Sequence, residues 1–324
     1  MLKNFLFTAL IFNSLSVCAA DYVANSDITG QVNSEIKKAT PGNTIKIPAG
    51  TYKINAEQSV ILRDNINLTL SPQTTLIVIP SKKGRYQAFR IHNVNNVKIT
   101  GGTLIGDRYN HLGKTGEWGM GIDIKDSQNV IVSNMNINKM WGDAIYIGTN
   151  GKNSNYNIKL SNISMNDNRR QGISIVSVNT LNANNIKVSN THGTNPASGI
   201  DIEPYPGMVI KNVKLQDIFT SNNQGPGIQI GLGRHRNLNQ PVSITIENHT
   251  DTGSQYGFLM GRIPHEAFGN IHIISPNYAQ SRITSCFYPW RNINFNVRIK
   301  GGLVSSVAKK CRSHLANPSI ALIK

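Results

Sequence analysis

Acidic residues are scarce in this chain. Among 324 residues, 17 Asp and Glu stand against 33 Lys and Arg, for a formal net charge of +16. Long-range attraction from that excess concentrates anionic partners at the surface. Cysteine is scarcer, at three residues, which excludes a disulfide-dense scaffold. No run of about 18 apolar residues follows residue 20, so no membrane-spanning helix is expected. No composition break or Pro/Gly/Ser linker divides the chain, and one domain is expected over residues 21–324. His192, His235, His249 and His265 do not fall at metal-ligand spacing and read as loop or surface residues.

Residues 1–20 hold Lys3, an apolar run from Phe5 to about Leu15, and the small-residue exit Val17-Cys18-Ala19-Ala20. A basic start, apolar middle and small-residue end make a secretory signal, too short to span a bilayer. Val17 fits poorly before a lipidated cysteine. The expected product is secreted or periplasmic, and loss of Lys3 leaves it at +15, with 32 Lys and Arg against 17 acids. Its two cysteines, Cys286 and Cys311, either form one disulfide or remain as thiols.

What the chain does have is a recurring phrase, Gly or Ala followed by Ile-x-Ile. It appears at Gly121-Ile122-Asp123-Ile124, Ala144-Ile145-Tyr146-Ile147, Gly172-Ile173-Ser174-Ile175, Gly199-Ile200-Asp201-Ile202 and Gly227-Ile228-Gln229-Ile230. Steps of 23, 28, 27 and 28 residues separate the first isoleucines, a period typical of stacked repeats. A second ladder, apolar-x-apolar-x-Asn-x-x-apolar, runs out of phase through Asn134, Asn162, Asn185, Asn212 and Asn248. Period-two alternation means strands with one buried face, and the repeat is too short for two strands and a crossover helix. Parallel coils should therefore stack, with the recurring Asn expected to point inward and pair with its neighbours above and below.

These ladders resemble the right-handed parallel β-helix, pectin-lyase-like superfamily over roughly residues 25–305. The resemblance implies an all-β, single-stranded solenoid with an N-terminal capping helix. A cap is expected at about 25–55, built from Val32 to Ala39 as a short helix followed by Ile47-Pro48-Ala49-Gly50-Thr51-Tyr52. It would cover apolar core left open by the first coil. Coils are expected over about 56–305 and a C-terminal cap over about 306–324. The long loop from Gly106 to Gly119 holds Arg108, His111, Glu117 and Trp118 and reads as the wall of a cleft.

If the paired isoleucines point inward, the residue between them points outward. That rule builds a central outward column of Asp123, Tyr146, Ser174, Asp201 and Gln229, flanked by Asp143 and Gln171 on one side and Glu203 on the other. Four of only 17 acids gather on one strip, with Arg169 and Arg170 between them. Stacked like charges destabilise a sheet, which points to a functional strip rather than a solubilising one.

The nearest enzyme subfamily, the polygalacturonase-type glycoside hydrolases, is similar at Gly142-Asp143-Ala144-Ile145 and Gly172-Ile173-Ser174-Ile175. Met120, Gly142 and Gln171 stand where that pattern has two aspartates and a histidine, so only Asp143 matches. Arg298-Ile299-Lys300 spells its last motif but too many coils away. What the broader resemblance implies is an enzyme acting on an acidic, uronate-containing polysaccharide. Elimination would use Arg169 or Arg170 as base, with Tyr146 or His111 as substitutes and Ca²⁺ held by Asp143, Asp201 and Glu203. Hydrolysis would pair Asp143 with Asp201 or with Asp123. The positive charge tips the expectation toward elimination. Sugar contacts are expected from Asp123, Tyr146, Gln171, Glu203, Trp118, Trp141, Glu117, Arg108 and His111. A non-catalytic glycan-binding or adhesive solenoid would use Trp118, Trp141 and Tyr146 as stacking platforms. Nucleic acid is disfavoured by the secretory signal and by the absence of a concentrated Lys/Arg run.

Overall fold

A computed structural model describes residues 21–151, 153–236, 240–288, 290–302 and 320–323. The expected signal segment and Cys311 lie outside the described residues. So does most of the expected C-terminal cap, apart from the strand Ile320–Ile323, which pairs in parallel with Phe295–Lys300. Cys286 is disulfide-bonded.

The chain winds into a right-handed parallel β-helix. A nine-stranded sheet runs from Val60–Ile61 to Ser285–Phe287, and a fifteen-stranded sheet wraps the remaining sides. Register follows the Ile-x-Ile phrase directly. Ile122, Ile145, Ile173, Ile200 and Ile228 stack one on the next, and they and their i+2 partners are fully buried. The small residue ahead of each pair has a packing cause: a Cβ on Gly199 would lie 2.5 Å from the carbonyl oxygen of Gly227 in the next coil. At the start, the helix Thr29–Lys38 buries Thr29, Val32 and Ile36 on the first coil, as the amphipathic pattern requires.

The asparagine ladder exists but faces outward. Asn134, Asn162, Asn185, Asn212 and Asn248 are exposed and adopt left-handed backbone with φ between 52° and 56°. Asn tolerates that conformation better than most residues, so it marks a bend in each long strand. The bend resets the in-out alternation that had suggested an inward side chain. The amides still stack: Asn162 Nδ2 donates to Asn134 Oδ1 at 2.9 Å and Asn185 Nδ2 to Asn162 Oδ1 at 2.8 Å. Buried backbone groups are instead satisfied by Asn155, which donates to the carbonyls of Gly148 and Ser177 at 2.6 and 3.0 Å. Asn168 likewise accepts the Met140 N–H at 2.9 Å.

His249 is fully buried, not on the surface as its spacing suggested. It packs where the alternation calls for an apolar residue and is tolerated because both ring nitrogens are satisfied. Nε2 lies 2.8 Å from Thr220 Oγ1 and Nδ1 lies 3.0 Å from the Tyr278 hydroxyl, while Thr220 donates to Asp251 at 2.7 Å. A neutral imidazole completes that chain, and burial pushes its pKa down to about 3. His235 is also buried.

Candidate functional site

The outward columns form as the alternation requires. Asp123, Tyr146, Ser174, Asp201 and Gln229 are consecutive rung partners, and Asp143 pairs with Gln171 beside them. Over this face of the nine-stranded sheet lies a cleft of about 230 Å³. Its walls include Arg85, Trp118, Lys125, Tyr146, Arg170, Asp201, Glu203 and Tyr205. Trp118 and Tyr205 are exposed, which leaves their faces available for sugar stacking. The guanidinium of Arg85 stands 5.4 Å from the Trp118 ring centre, and the Lys125 ammonium 5.3 Å from that of Tyr146.

The acids are outward of the sheet yet not solvent-exposed. Asp123, Asp143 and Asp201 are all buried, because long neighbours close over a strand position that alternation alone assigns only to one side. Asp143 accepts two bonds from Arg170 Nη1 at 3.0 and 3.1 Å and one from Ser174 at 2.8 Å. Burial raises its pKa, against the opposing pull of Arg170. Arg170 in turn keeps its charge: burial opposes ionisation, but Asp143 and Glu117 outweigh it and the pKa is raised, with Glu117 at 3.7 Å. Asp123 belongs to a cluster under the cleft floor, 2.9 Å from His92 Nε2 and 3.1 Å from Lys125 Nζ.

Asp201 differs from both. Gln171 donates to its Oδ2 at 3.0 Å, and Oδ1 is buried without a hydrogen-bond partner. No guanidinium or ammonium bridges it among the described residues. Burial first, then repulsion from Glu203, pushes its pKa up to about 8. A carboxyl so placed is protonated near neutrality and can donate a proton. Glu203 sits two residues along the same strand direction, on the same side and half-exposed, with a Cα separation of about 6.6 Å from strand geometry.

Asp123, Asp143, Gln171 and Glu117 are not part of the cleft wall, and four further expected site residues lie away from it. Arg169 stacks on Trp141 at 3.8 Å and donates to the carbonyls of Gly116 and Trp141, both at 3.1 Å; burial lowers its pKa. His111 stacks on the same indole at 3.9 Å and bonds Asp107 at 2.8 Å. Arg108 bridges Asp167 at 2.8 Å and donates to the His192 carbonyl at 2.6 Å. Arg108, His111, Trp141 and Arg169 thus fasten the 106–119 loop to the coils, and only its end, at Trp118, reaches the cleft wall, with Glu117 beside Arg170. Arg298 lies in the other sheet, paired with His272. Among the described residues, Asp143, Asp201 and Glu203 do not gather into a group able to hold a metal ion. Sequence reasoning missed Arg85 and Tyr205, which come from a strand one coil earlier and from a turn; no repeat position marks either.

No protein-family model matches the chain. It is 26% identical over 268 residues to the uncharacterized protein YclG of Bacillus subtilis (strain 168), a match covering 72% of this chain and 44% of YclG. The chain therefore spans less than half the length of that relative. In structure it is similar to the tailspike protein gp49 of Acinetobacter baumannii bacteriophage Fri1, a capsular polysaccharide depolymerase, with a TM-score of 0.63 at 12% identity, covering 94% of this chain and 61% of gp49. It is also similar to the polygalacturonase of Erwinia carotovora ssp. carotovora, with a TM-score of 0.63 at 11% identity, covering 96% and 98%. Similarity at these identities is one of fold.

Proposed function

Because the chain is a pectin-lyase-like β-helix with this cleft on its outer face, we propose that it is a secreted enzyme that depolymerises an acidic polysaccharide by hydrolysis. Asp201 is the general acid and Glu203 the base. The observation that carries the proposal is the buried Asp201 carboxyl, bonded by Gln171 and, among the described residues, bridged by no cation, at a cleft lined by aromatic faces and cations; burial accordingly pushes its pKa up to about 8. A carboxyl that burial keeps protonated can serve as the acid beside a half-exposed carboxylate on the same side of the sheet. With Cα atoms about 6.6 Å apart on one side of the sheet, the two carboxyls suit the wider separation that leaves room for a water beside the base, the geometry of an inverting hydrolase. Protonated Asp201 would deliver its proton to the glycosidic oxygen while Glu203 takes one from the attacking water. Arg85, Lys125 and Arg170 would receive substrate carboxylates, and Trp118, Tyr146 and Tyr205 would stack on sugar faces.

Hydrolysis is preferred over elimination on the state of the candidate bases: His111 lies away from the cleft, and burial raises the pKa of Tyr146, so its phenol keeps its proton. Elimination needs an unprotonated base beside the sugar C5, and Arg170 is held charged by Asp143 and Glu117. Arg169, although its pKa is lowered, is covered by Trp141 and absent from the cleft wall. Fold neighbours that degrade polysaccharides support the substrate class. Binding without turnover is the second reading, favoured by the exposed Trp118 and Tyr205.

The test is incubation of the protein with a panel of acidic polysaccharides, with and without Ca²⁺, following reducing ends and the ultraviolet absorbance of unsaturated uronates together. Reducing ends alone are expected. Absorbance would replace hydrolysis with elimination, and silence in both channels with retained binding would make the cleft a lectin-like site.

A further inference from the structure

A second feature lies on the fifteen-stranded sheet, away from the cleft. One outward column there runs Lys98, Ile131, Lys159, Asn182, Lys214 through successive rungs, each the in-register partner of the next. Lysine occupies every second rung, so the charges recur at about 9.6 Å along the solenoid axis. The neighbouring outward column, two residues further along each strand, is Thr100, Ser133, Ser161, Asn184 and Gln216 over the same rungs. Neither column holds an acid across these five rungs. Lys98 and Lys159 are exposed, and Lys214 shares its charge with Glu247 of the following rung at 3.3 Å.

We infer that this lysine column and its hydroxyl and amide neighbour form a second binding site, for an extended acidic polysaccharide lying along the axis. The argument is one of period and chemistry. A straight row of cations at two-rung spacing matches a polymer whose acid groups recur on the scale of a disaccharide. The Thr, Ser, Asn and Gln column beside it offers donors and acceptors for sugar hydroxyls at four of the five rungs, since Ser133 is buried and donates to Thr100 at 3.0 Å, while Asn184 also donates to Asp217 at 3.2 Å. Duplex nucleic acid fits poorly: its phosphates recur about every 3.4 Å along each strand, and its helical path leaves a flat face after a few charges. The site is separate from the cleft and does not depend on the hydrolytic reading. It would hold a long chain on the protein while the cleft engages another stretch of it.

The experiment uses the full chain and hyaluronan oligosaccharides, which carry one carboxylate per disaccharide, at low salt. Dextran serves as the neutral control and a 20-base-pair DNA duplex as the rival polyanion. Binding of hyaluronan is expected to weaken about tenfold in the K98Q/K159Q/K214Q variant, which is about 1.4 kcal/mol, and to weaken with added salt. The triple variant touches no residue of the cleft wall and should release reducing ends from short oligosaccharides as the parent does, so the two readings fail separately. The inference is overturned if the triple variant binds hyaluronan as the parent does, if the parent does not bind it, or if the duplex binds as tightly and loses as much. Exposed Lys→Gln changes leave the core untouched, and an unaltered circular dichroism spectrum checks that.

Discussion

Asp201→Asn is expected to abolish turnover and at the same time stabilise the protein, by an amount that depends on pH. The carboxyl has a pKa of about 8 in the folded chain against 3.8 for an unperturbed aspartate. A folded pKa raised above the unfolded one means that stability is fully present below about 3.8 and is lost as the pH climbs toward 8. Each pH unit between those limits is worth about 1.4 kcal/mol. At pH 7 the buried carboxyl therefore costs roughly 4 kcal/mol relative to pH 3.8. Asparagine does not titrate and keeps an amide able to bond Gln171. The variant should unfold at similar denaturant concentration to the parent at pH 4 and at clearly higher concentration at pH 7, with a melting temperature several degrees above it. Urea unfolding of both proteins at pH 4, 5.5 and 7, beside reducing-end assays, measures it. Stability curves that run parallel over that range would refute the assignment of a raised pKa to Asp201, and with it the general-acid role.

His249 gives the opposite pH dependence. Its folded pKa of about 3 lies below the ordinary 6.5, so its contribution is present above 6.5 and lost as the pH falls, by about 2 kcal/mol at pH 5; urea midpoints in an Asp201→Asn background should show that loss, and His249→Gln should flatten it. Arg170→Ala leaves Asp143 buried without its bridging cation and should destabilise by about 3 kcal/mol or more, read by thermal unfolding at pH 7. Asn162→Gly should be nearly neutral, whereas Asn162→Ala should cost about 1 kcal/mol because alanine resists the left-handed backbone there; equal effects would refute the bend as the reason for the residue. Trp118→Ala should weaken glycan binding severalfold, by about 1 kcal/mol or more, with no change in melting temperature.

The fold was legible because its signal is redundant. Five Ile-x-Ile phrases at near-constant spacing fix strand, register and inward face together, and the outward column of Asp123 through Gln229 follows by counting. The asparagines failed as inward residues because amide pairing and tolerance of left-handed backbone give the same periodicity. The site was legible only as far as strand alternation reaches. Alternation identifies Asp143, Asp201 and Glu203 as one strip, but it does not say that Arg170 would close over Asp143 and leave Asp201 without a cation. Loop residues carry no period at all. Arg108 and His111 look like cleft residues by composition, and only the three-dimensional path of the loop turns them inward to Asp167, Asp107 and Trp141.

The rung register also sets how this cleft can change over evolutionary time. Asp143 and Asp201 come from coils two rungs apart, with the Gln171–Ile175 rung between them bonding both. Gain or loss of a whole coil leaves every neighbouring interface of the same kind, yet moves one carboxyl relative to the other by a full step of about 4.8 Å along the axis. The axial spacing of groups on such a scaffold is therefore quantised. A lineage can retune its grip on a polymer by repeat number, in jumps matched to sugar-sized distances, while fine adjustment is left to side-chain length and to the loops.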